Sequence, residues 1–180
     1  MTRVHFIGIG GSGLSAIARL LQESGYTVTG SDRVMSTLAA DLQAAGATIY
    51  IGHHPRYVQG ADWVVRSSAV TDDNPEVKAA QLAGIPVYKR ADFLGRLMEG
   101  KVGIAVAGTH GKTTTTAMIA FVLSELGRQP SFVVGGVLKN YGVNARAGKG
   151  EEEIARRGHA AHDCGGELLL VIIQQTGRDE

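Results

Sequence analysis

Val4-His5-Phe6-Ile7-Gly8-Ile9-Gly10-Gly11-Ser12-Gly13 carries a buried-strand pattern directly into a glycine loop. Behind it, from Ser15 to Glu23, the apolar residues Ile17, Leu20 and Leu21 fall at helical spacing. Strand, glycine loop and helix in that order open a Rossmann-type unit, in which backbone N–H groups and a helix N-terminus face a diphosphate. Glycines at 8, 10 and 13 fit G-x-G-x-x-G, and Asp32 follows Gly13 by 19 residues, where an acid reaches a ribose hydroxyl. The motif does not choose among diphosphates: a nicotinamide dinucleotide and a UDP-sugar each contain one.

Outward from this loop, strands and helices alternate. Tyr26 to Gly30 reads as a second strand, and a helix follows from about Ser36 to Ala45, with Ser36 or Thr37 as N-cap and Gly46 as stop. Ala47 to Ile51 and Asp62 to Arg66 read as further strands. Asn74-Pro75-Glu76 starts a helix that ends near Gly84, because proline's missing N–H costs least in a first turn. Ile85 to Tyr88 and a helix from Asp92 to Glu99 close the unit. This spacing predicts an α/β fold with a Rossmann-like parallel sheet over residues 1–99. Ser67 and Ser68 follow the fourth strand, at the edge where such sheets bind ligands. His53 and His54 show no metal-ligand spacing with the other histidines and read as exposed or satisfied side chains.

A second glycine loop stands at Gly108-Thr109-His110-Gly111-Lys112-Thr113-Thr114, behind the apolar run Val102 to Ala107 and ahead of a helix reaching Gly127. Val106 occupies the place of the first glycine in G-x-x-x-x-G-K-[ST], leaving the shorter G-T-x-G-K-T form. The order again points to phosphate binding, here of a triphosphate. Lys112 is placed to meet the β- and γ-phosphates and Thr113 to ligate Mg²⁺, so these two are the catalytic candidates and Gly108, Thr109, His110, Gly111, Lys112, Thr113 and Thr114 the triphosphate-binding set. His110 faces either ligand or solvent. Ser131 to Val134 offers another strand before Gly135-Gly136, and Leu168 to Ile173 one more. The second unit, 100–150, therefore reads as an incomplete P-loop-type α/β domain. Its strands are expected to lack neighbours, favouring aggregation or partial disorder beyond about Gly127.

Composition bounds the rest. The 180 residues are 44% hydrophobic and 19% charged, enough to fill a globular core, with a net charge of +1. Residues 101–150 hold six Lys/Arg against the single acid Glu125, which favours an anionic ligand near the second loop. No basic run with interleaved aromatics points to nucleic acid. No apolar stretch is long enough to span a bilayer, and Met1-Thr2-Arg3 leads into a strand with no leader pattern, so a cytoplasmic location is expected. Cys164 is the single cysteine and reads as a spectator thiol.

With both loops in place the chain resembles the Mur ligases. The likeness rests on His5 to Gly13, Gly30-Ser31-Asp32, Ser67 to Val70 with Asp73 to Glu76, Ile85-Pro86-Val87 with Arg90-Ala91, and Ala105 to Thr115. Gly135-Gly136, Asn144-Ala145-Arg146 and Gly148 to Glu151 extend it. The resemblance implies an ATP- and Mg²⁺-dependent amide-bond ligase of peptidoglycan synthesis. UDP-N-acetylmuramate and L-alanine are its implied substrates, and a recycled tripeptide is the alternative to L-alanine. It implies a UDP-sugar site at Gly8, Gly10, Gly11, Ser12 and Gly13, with Asp32, Ser67 and Ser68 near the uridine. A redox module built on the first loop alone is the alternative from another class, and it leaves the second loop without a purpose.

Past Glu151 the sequence departs from the family pattern. Glutamines 174 and 175 stand where an acidic cluster holding Mg²⁺ is implied, and Glu151 to Glu153 read as a solvated helix face. Residues 151–180 are thus expected to be a truncated, frame-shifted or foreign tail, and the chain alone is expected to be inactive.

Overall fold

The computed structural model describes residues 1–99, 102–107, 109–148 and 169–173. The chain divides into two compact units, Met1–Phe93 and Leu94–Glu180.

The first unit holds strands β1 (Arg3–Ile7), β2 (Thr27–Asp32), β3 (Thr48–Ile51), β4 (Trp63–Arg66) and β5 (Val87–Lys89). All pair in parallel, in the order β3-β2-β1-β4-β5. The first loop thus leaves a central strand, with connections diverging to either side, the arrangement that opens a ligand crevice at the carboxyl ends of the strands. Helices α1 (Ser12–Glu23), α2 (Thr37–Ala44) and α3 (Pro75–Leu82) lie between these strands, with a 3₁₀ turn at Pro55–Val58 that the sequence reading missed, and α4 (Arg90–Met98) follows β5 and continues past Phe93. α1 begins three residues earlier than expected. Gly11 is its N-cap and its carbonyl already accepts the Ser15 N–H at 2.9 Å, so the end of the glycine loop is the first helical turn.

Side chains alternate across β1, which fixes what each face touches. Ile7 enters an apolar cluster with Val58, Val64, Val77 and Ala80, beneath α3 and the 3₁₀ turn. Phe6 points the opposite way and meets Phe93 of α4 edge to face at 6.4 Å. His5 therefore shares the α3 face with Ile7, and the register His5↔Thr29 and Ile7↔Ser31 adds Thr29 and Ser31 to it. One face of the two central strands is thus partly polar and buried.

The second unit contains β6 (Val102–Val106), α5 (Lys112–Glu125), β7 (Ser131–Leu138), β8 (Val143–Arg146) and β9 (Leu169–Ile173). The sheet order is β6-β9-β7-β8 and every pairing is antiparallel. The expected strand-loop-helix order is present, yet the strands do have neighbours: β9 lies between β6 and β7, and β8 covers the other side of β7. β7 also runs through Gly135-Gly136 to Leu138 instead of stopping before them, because its pairing with β8 resumes after a register shift between Val133 and Leu138. α5 buries Ala120 against Phe132, Val134 and Leu138. Among the described residues no helix is long and apolar enough to cross a membrane.

Candidate functional site

The first glycine loop is tied down on three sides. The N–H groups of Gly8 and Ile9 both donate to the Ser31 carbonyl oxygen, at 2.8 and 3.1 Å, which seats the loop on the end of β2. Asp32 Oδ2 accepts the Gly10 N–H at 2.8 Å, while its Oδ1 accepts the Arg33 N–H at 2.7 Å. Ser36 Oγ donates to the Gly10 carbonyl at 3.0 Å and accepts the Ala39 N–H at 3.2 Å as the N-cap of α2. The N–H and the C=O of Gly10 are therefore both held, by side chains at and just past the end of β2. Only glycine fits there: a Cβ at position 10 would stand 2.7 Å from Ser36 Oγ and 2.9 Å from Asp32 Oδ2.

This loop borders a cavity of about 570 Å³ at the carboxyl edge of the sheet. Gly8, Gly10, Gly11, Asp32 and Ser67 line it, so five of the residues expected from sequence come together. Ser12 and Gly13 instead open α1, with the Arg90 side chain lying over Gly13, and exposed Ser68 is not among the lining residues. The remaining walls come from Arg33, Val34 and Ser36 after β2, His53 after β3, and the β4–α3 segment. That segment is pre-shaped: Arg66 spans it, donating from Nη1 to the Val70 carbonyl at 2.9 Å and pairing through Nη2 with Asp72 at 2.6 Å. Asn74 Oδ1 then accepts the Glu76 N–H at 2.9 Å and caps α3 as its sequence predicts.

Beneath the cavity lies a polar cluster that the sequence reading passed over. Glu76 is fully buried and accepts three hydrogen bonds: from His5 Nε2 at 2.7 Å, Ser31 Oγ at 2.8 Å and His53 Nδ1 at 2.8 Å. His5 Nδ1 lies 2.9 Å from Thr29 Oγ1. Burial pushes the Glu76 carboxyl up, but the hydrogen bonds from His5, Ser31 and His53 and the attraction of His5 outweigh it, and the net shift is downward. His53 is thus a satisfied side chain, as expected, but it also lines the cavity. The signal for the cluster was available: Thr27, Thr29 and Ser31 alternate along a central strand, placing hydroxyls where a buried strand usually turns aliphatic groups.

In the second unit Gly108 lies outside the described residues. Gly111 caps α5 with φ +78°, a left-handed conformation that favours glycine, and Lys112 and Thr113 open the helix. Lys112 Nζ reaches back to within 3.3 Å of the Thr109 carbonyl. Thr109, His110, Thr113 and Thr114 are exposed around this helix start. First-turn amides, a lysine and exposed hydroxyls at one helix N-terminus suit a phosphate group. For Mg²⁺, Thr113 offers a single oxygen, and among the described residues no group of three His, Cys, Asp or Glu side chains is placed to hold a metal.

Comparison with known proteins adds to this geometry. The model of the Mur ligase family, catalytic domain, matches residues 3–102. The UDP-N-acetylmuramate–L-alanine ligase of Persephonella marina is 53% identical over 148 residues, 82% of this chain and 32% of that protein. Its namesake from Laribacter hongkongensis is 53% identical over 171 residues, 94% of this chain and 36% of the relative. The chain therefore spans about a third of the length of these relatives. Among solved structures, the Thermotoga maritima UDP-N-acetylmuramate-alanine ligase superposes with a TM-score of 0.77 at 36% identity, covering 83% of this chain and 36% of that one. A UDP-N-acetylmuramate:L-alanyl-gamma-D-glutamyl-meso-diaminopimelate ligase from Neisseria meningitides gives 0.74 at 36% identity, covering 82% and 47%.

Proposed function

Because the chain belongs to the Mur ligase family, we propose that it is the nucleotide-binding part of an ATP-dependent ligase joining L-alanine to UDP-N-acetylmuramate. Residues 1–99 form the UDP-sugar domain and residues from 100 the start of the ATP domain. The observation that carries the reading is the first cavity, in which a glycine loop pinned by Asp32 and Ser36 meets the ends of β2 and β4. A diphosphate binds there along the loop and the start of α1, with the nucleoside reaching outward over Asp32.

Amide formation from a free carboxylate needs a better leaving group than oxide. In the proposed reaction the γ-phosphoryl group of ATP passes to the muramoyl carboxylate oxygen, giving an acyl phosphate and ADP. The amine nitrogen of L-alanine then attacks the acyl carbon, inorganic phosphate leaves, and the nitrogen loses a proton. Such transfer is mostly positioning and charge neutralisation. Lys112 and the first turn of α5 would hold the triphosphate, and Thr113 would give its hydroxyl to Mg²⁺, which supplies further neutralisation when bound.

Calorimetric titration with UDP-N-acetylmuramate tests the first part: saturable binding that UDP displaces is expected, and NAD binding that UDP cannot displace would overturn it. Phosphate release with ATP, UDP-N-acetylmuramate and either L-alanine or the tripeptide tests turnover: none is expected from a chain that spans about a third of its relatives' length, and steady release with either amine would overturn that expectation.

A further inference from the structure

We propose that Glu76 is a positioning residue that fixes the ring of His53 as a hydrogen-bond acceptor facing the nucleotide cavity, selecting a base with a ring N–H at the position of uracil N3. The inference rests on the UDP-sugar reading above and adds how the base is told apart.

Glu76 is fully buried and lies within 2.8 Å of three polar hydrogens' parent atoms, on His5, Ser31 and His53. An ionised carboxylate only accepts, so each of these atoms must donate. The Nδ1 proton of His53 is thereby committed to Glu76 Oε1. In the neutral ring the other nitrogen, Nε2, then carries a lone pair. Ser31 reinforces this arrangement: its hydroxyl proton goes to Glu76 Oε2, leaving only lone pairs toward His53 Nδ1 at 3.3 Å. His53 is part-exposed, at 21%, and lines the cavity, whereas Glu76 is sealed beneath it.

Strand order places this acceptor along the nucleotide. The glycine loop follows β1, Asp32 ends β2 and His53 follows β3, and these strands are consecutive neighbours in the sheet. Neighbouring strands are about 4.8 Å apart, so loop, acid and histidine are stepped at the spacing of a diphosphate, a ribose and a base. Uracil offers one N–H, at N3; cytosine has an unprotonated acceptor at the same position. A lone pair on His53 Nε2 is satisfied by the first and repelled by the second.

Glu76→Gln inverts the device. Two donors, His5 and Ser31, converge on the Oε2 side and one, His53, on the Oε1 side. The single amide oxygen of glutamine is best used where two donors meet, which turns its NH₂ toward His53. The ring must then accept at Nδ1 and carry its proton on Nε2.

The test is titration of UDP, N3-methyl-UDP and CDP into the 180-residue chain at pH 8, with long-range ¹H–¹⁵N spectra of the histidine rings. Wild type is expected to bind UDP about tenfold more tightly than either analogue, with a pyridine-like Nε2 on His53. In Glu76→Gln the UDP preference over CDP should vanish or reverse and Nε2 should become pyrrole-like; His53→Ala should bind all three ligands alike. Wild type that binds UDP well but all three equally, or a protonated Nε2 in the neutral wild-type ring, would overturn the inference and leave the UDP-sugar reading intact. Failure to bind UDP at all would overturn that reading and this inference with it. The spectra and the methylated ligand need only wild-type protein, so misfolding of a variant cannot shield the proposal.

Discussion

His5 and Glu76 meet at 2.7 Å between β1 and the first turn of α3, with neither side chain exposed to solvent. The contact joins a central strand to the helix that walls the cavity, and it does so through a charge. Burial raises the Glu76 carboxyl pKa, yet the bonds from His5, Ser31 and His53 together with the attraction of His5 leave it lowered. A lowered folded value means that the unfolded chain binds the proton more readily. The stabilisation is therefore complete above the ordinary glutamate value of about 4.3 and is lost as pH falls through the lower folded value. Urea midpoints followed from neutral pH into the acid range should drop more steeply for wild type than for Glu76→Gln. Parallel curves would show that the carboxylate contributes nothing to the acid limb. Glu76→Ala, which strands the buried donors of His5 and Ser31 and the part-exposed His53, should cost about 3–5 kcal/mol at neutral pH.

Asp32 was read from sequence as a ribose-binding acid, and the structure places it at the cavity with both oxygens on backbone N–H groups. Its first task is to hold the glycine loop. Asp32→Asn keeps the shape but turns one NH₂ toward a donor, so one of the two bonds is lost. A stability loss of about 1–3 kcal/mol is expected, together with weaker UDP binding. Weaker binding with unchanged thermal stability would instead assign Asp32 to the ligand alone.

The first unit was legible because its parts obey local rules. The run Val4 to Gly8 is apolar but for His5, Asn74-Pro75 is a helix start and Gly46 a stop, and all three features stand where expected. What escaped was set by partners distant in sequence. An acid in the first turn of a helix is favoured by the dipole wherever it points, and only the parallel register that puts His5 beside Thr29 reveals the buried polar face that Glu76 meets. In the second unit, β8 has only the four residues Val143–Arg146, and pairing with β7 makes it a strand. Arg146, packed over the Tyr141 ring at 4.6 Å, gave no periodic signal at all.

Position 10 tests how tightly the loop is held. A methyl group there meets Ser36 Oγ at 2.7 Å, and Ser36 cannot retreat without giving up both its bond to the Gly10 carbonyl and the cap of α2. Gly10→Ala should therefore cost about 1–3 kcal/mol, from overpacking and the lost cap, and should reduce UDP affinity in parallel. Gly11→Ala is the control, since its nearest contact would be the Gly8 carbonyl at 3.5 Å. Equal thermal stability of the two variants would mean that the loop relaxes freely and is not pinned.

Lys112 carries the second site. It opens α5 directly behind Gly111, whose φ of +78° turns the chain into the helix, and its ammonium group sits 3.3 Å from the Thr109 carbonyl. A triphosphate is a stronger partner for a cation than a neutral carbonyl, so phosphate oxygens at this helix start would compete for the ammonium group. Lys112→Met keeps most of the aliphatic stem and removes the charge. Loss of one charge-assisted bond, about 1.5–3 kcal/mol, corresponds to roughly a tenfold or greater loss of ATP affinity. Gly111→Ala attacks the same site through the backbone: a left-handed alanine costs about 1–2 kcal/mol, and relief of that strain would move the first turn of α5 away from its present position. Titration of each variant with ATP in the presence of Mg²⁺, and with UDP as an internal control on the first unit, separates the two loops. ATP affinity should fall in both variants while UDP affinity stays at the wild-type value; undiminished ATP binding by Lys112→Met would remove the second loop from the proposed ligase chemistry.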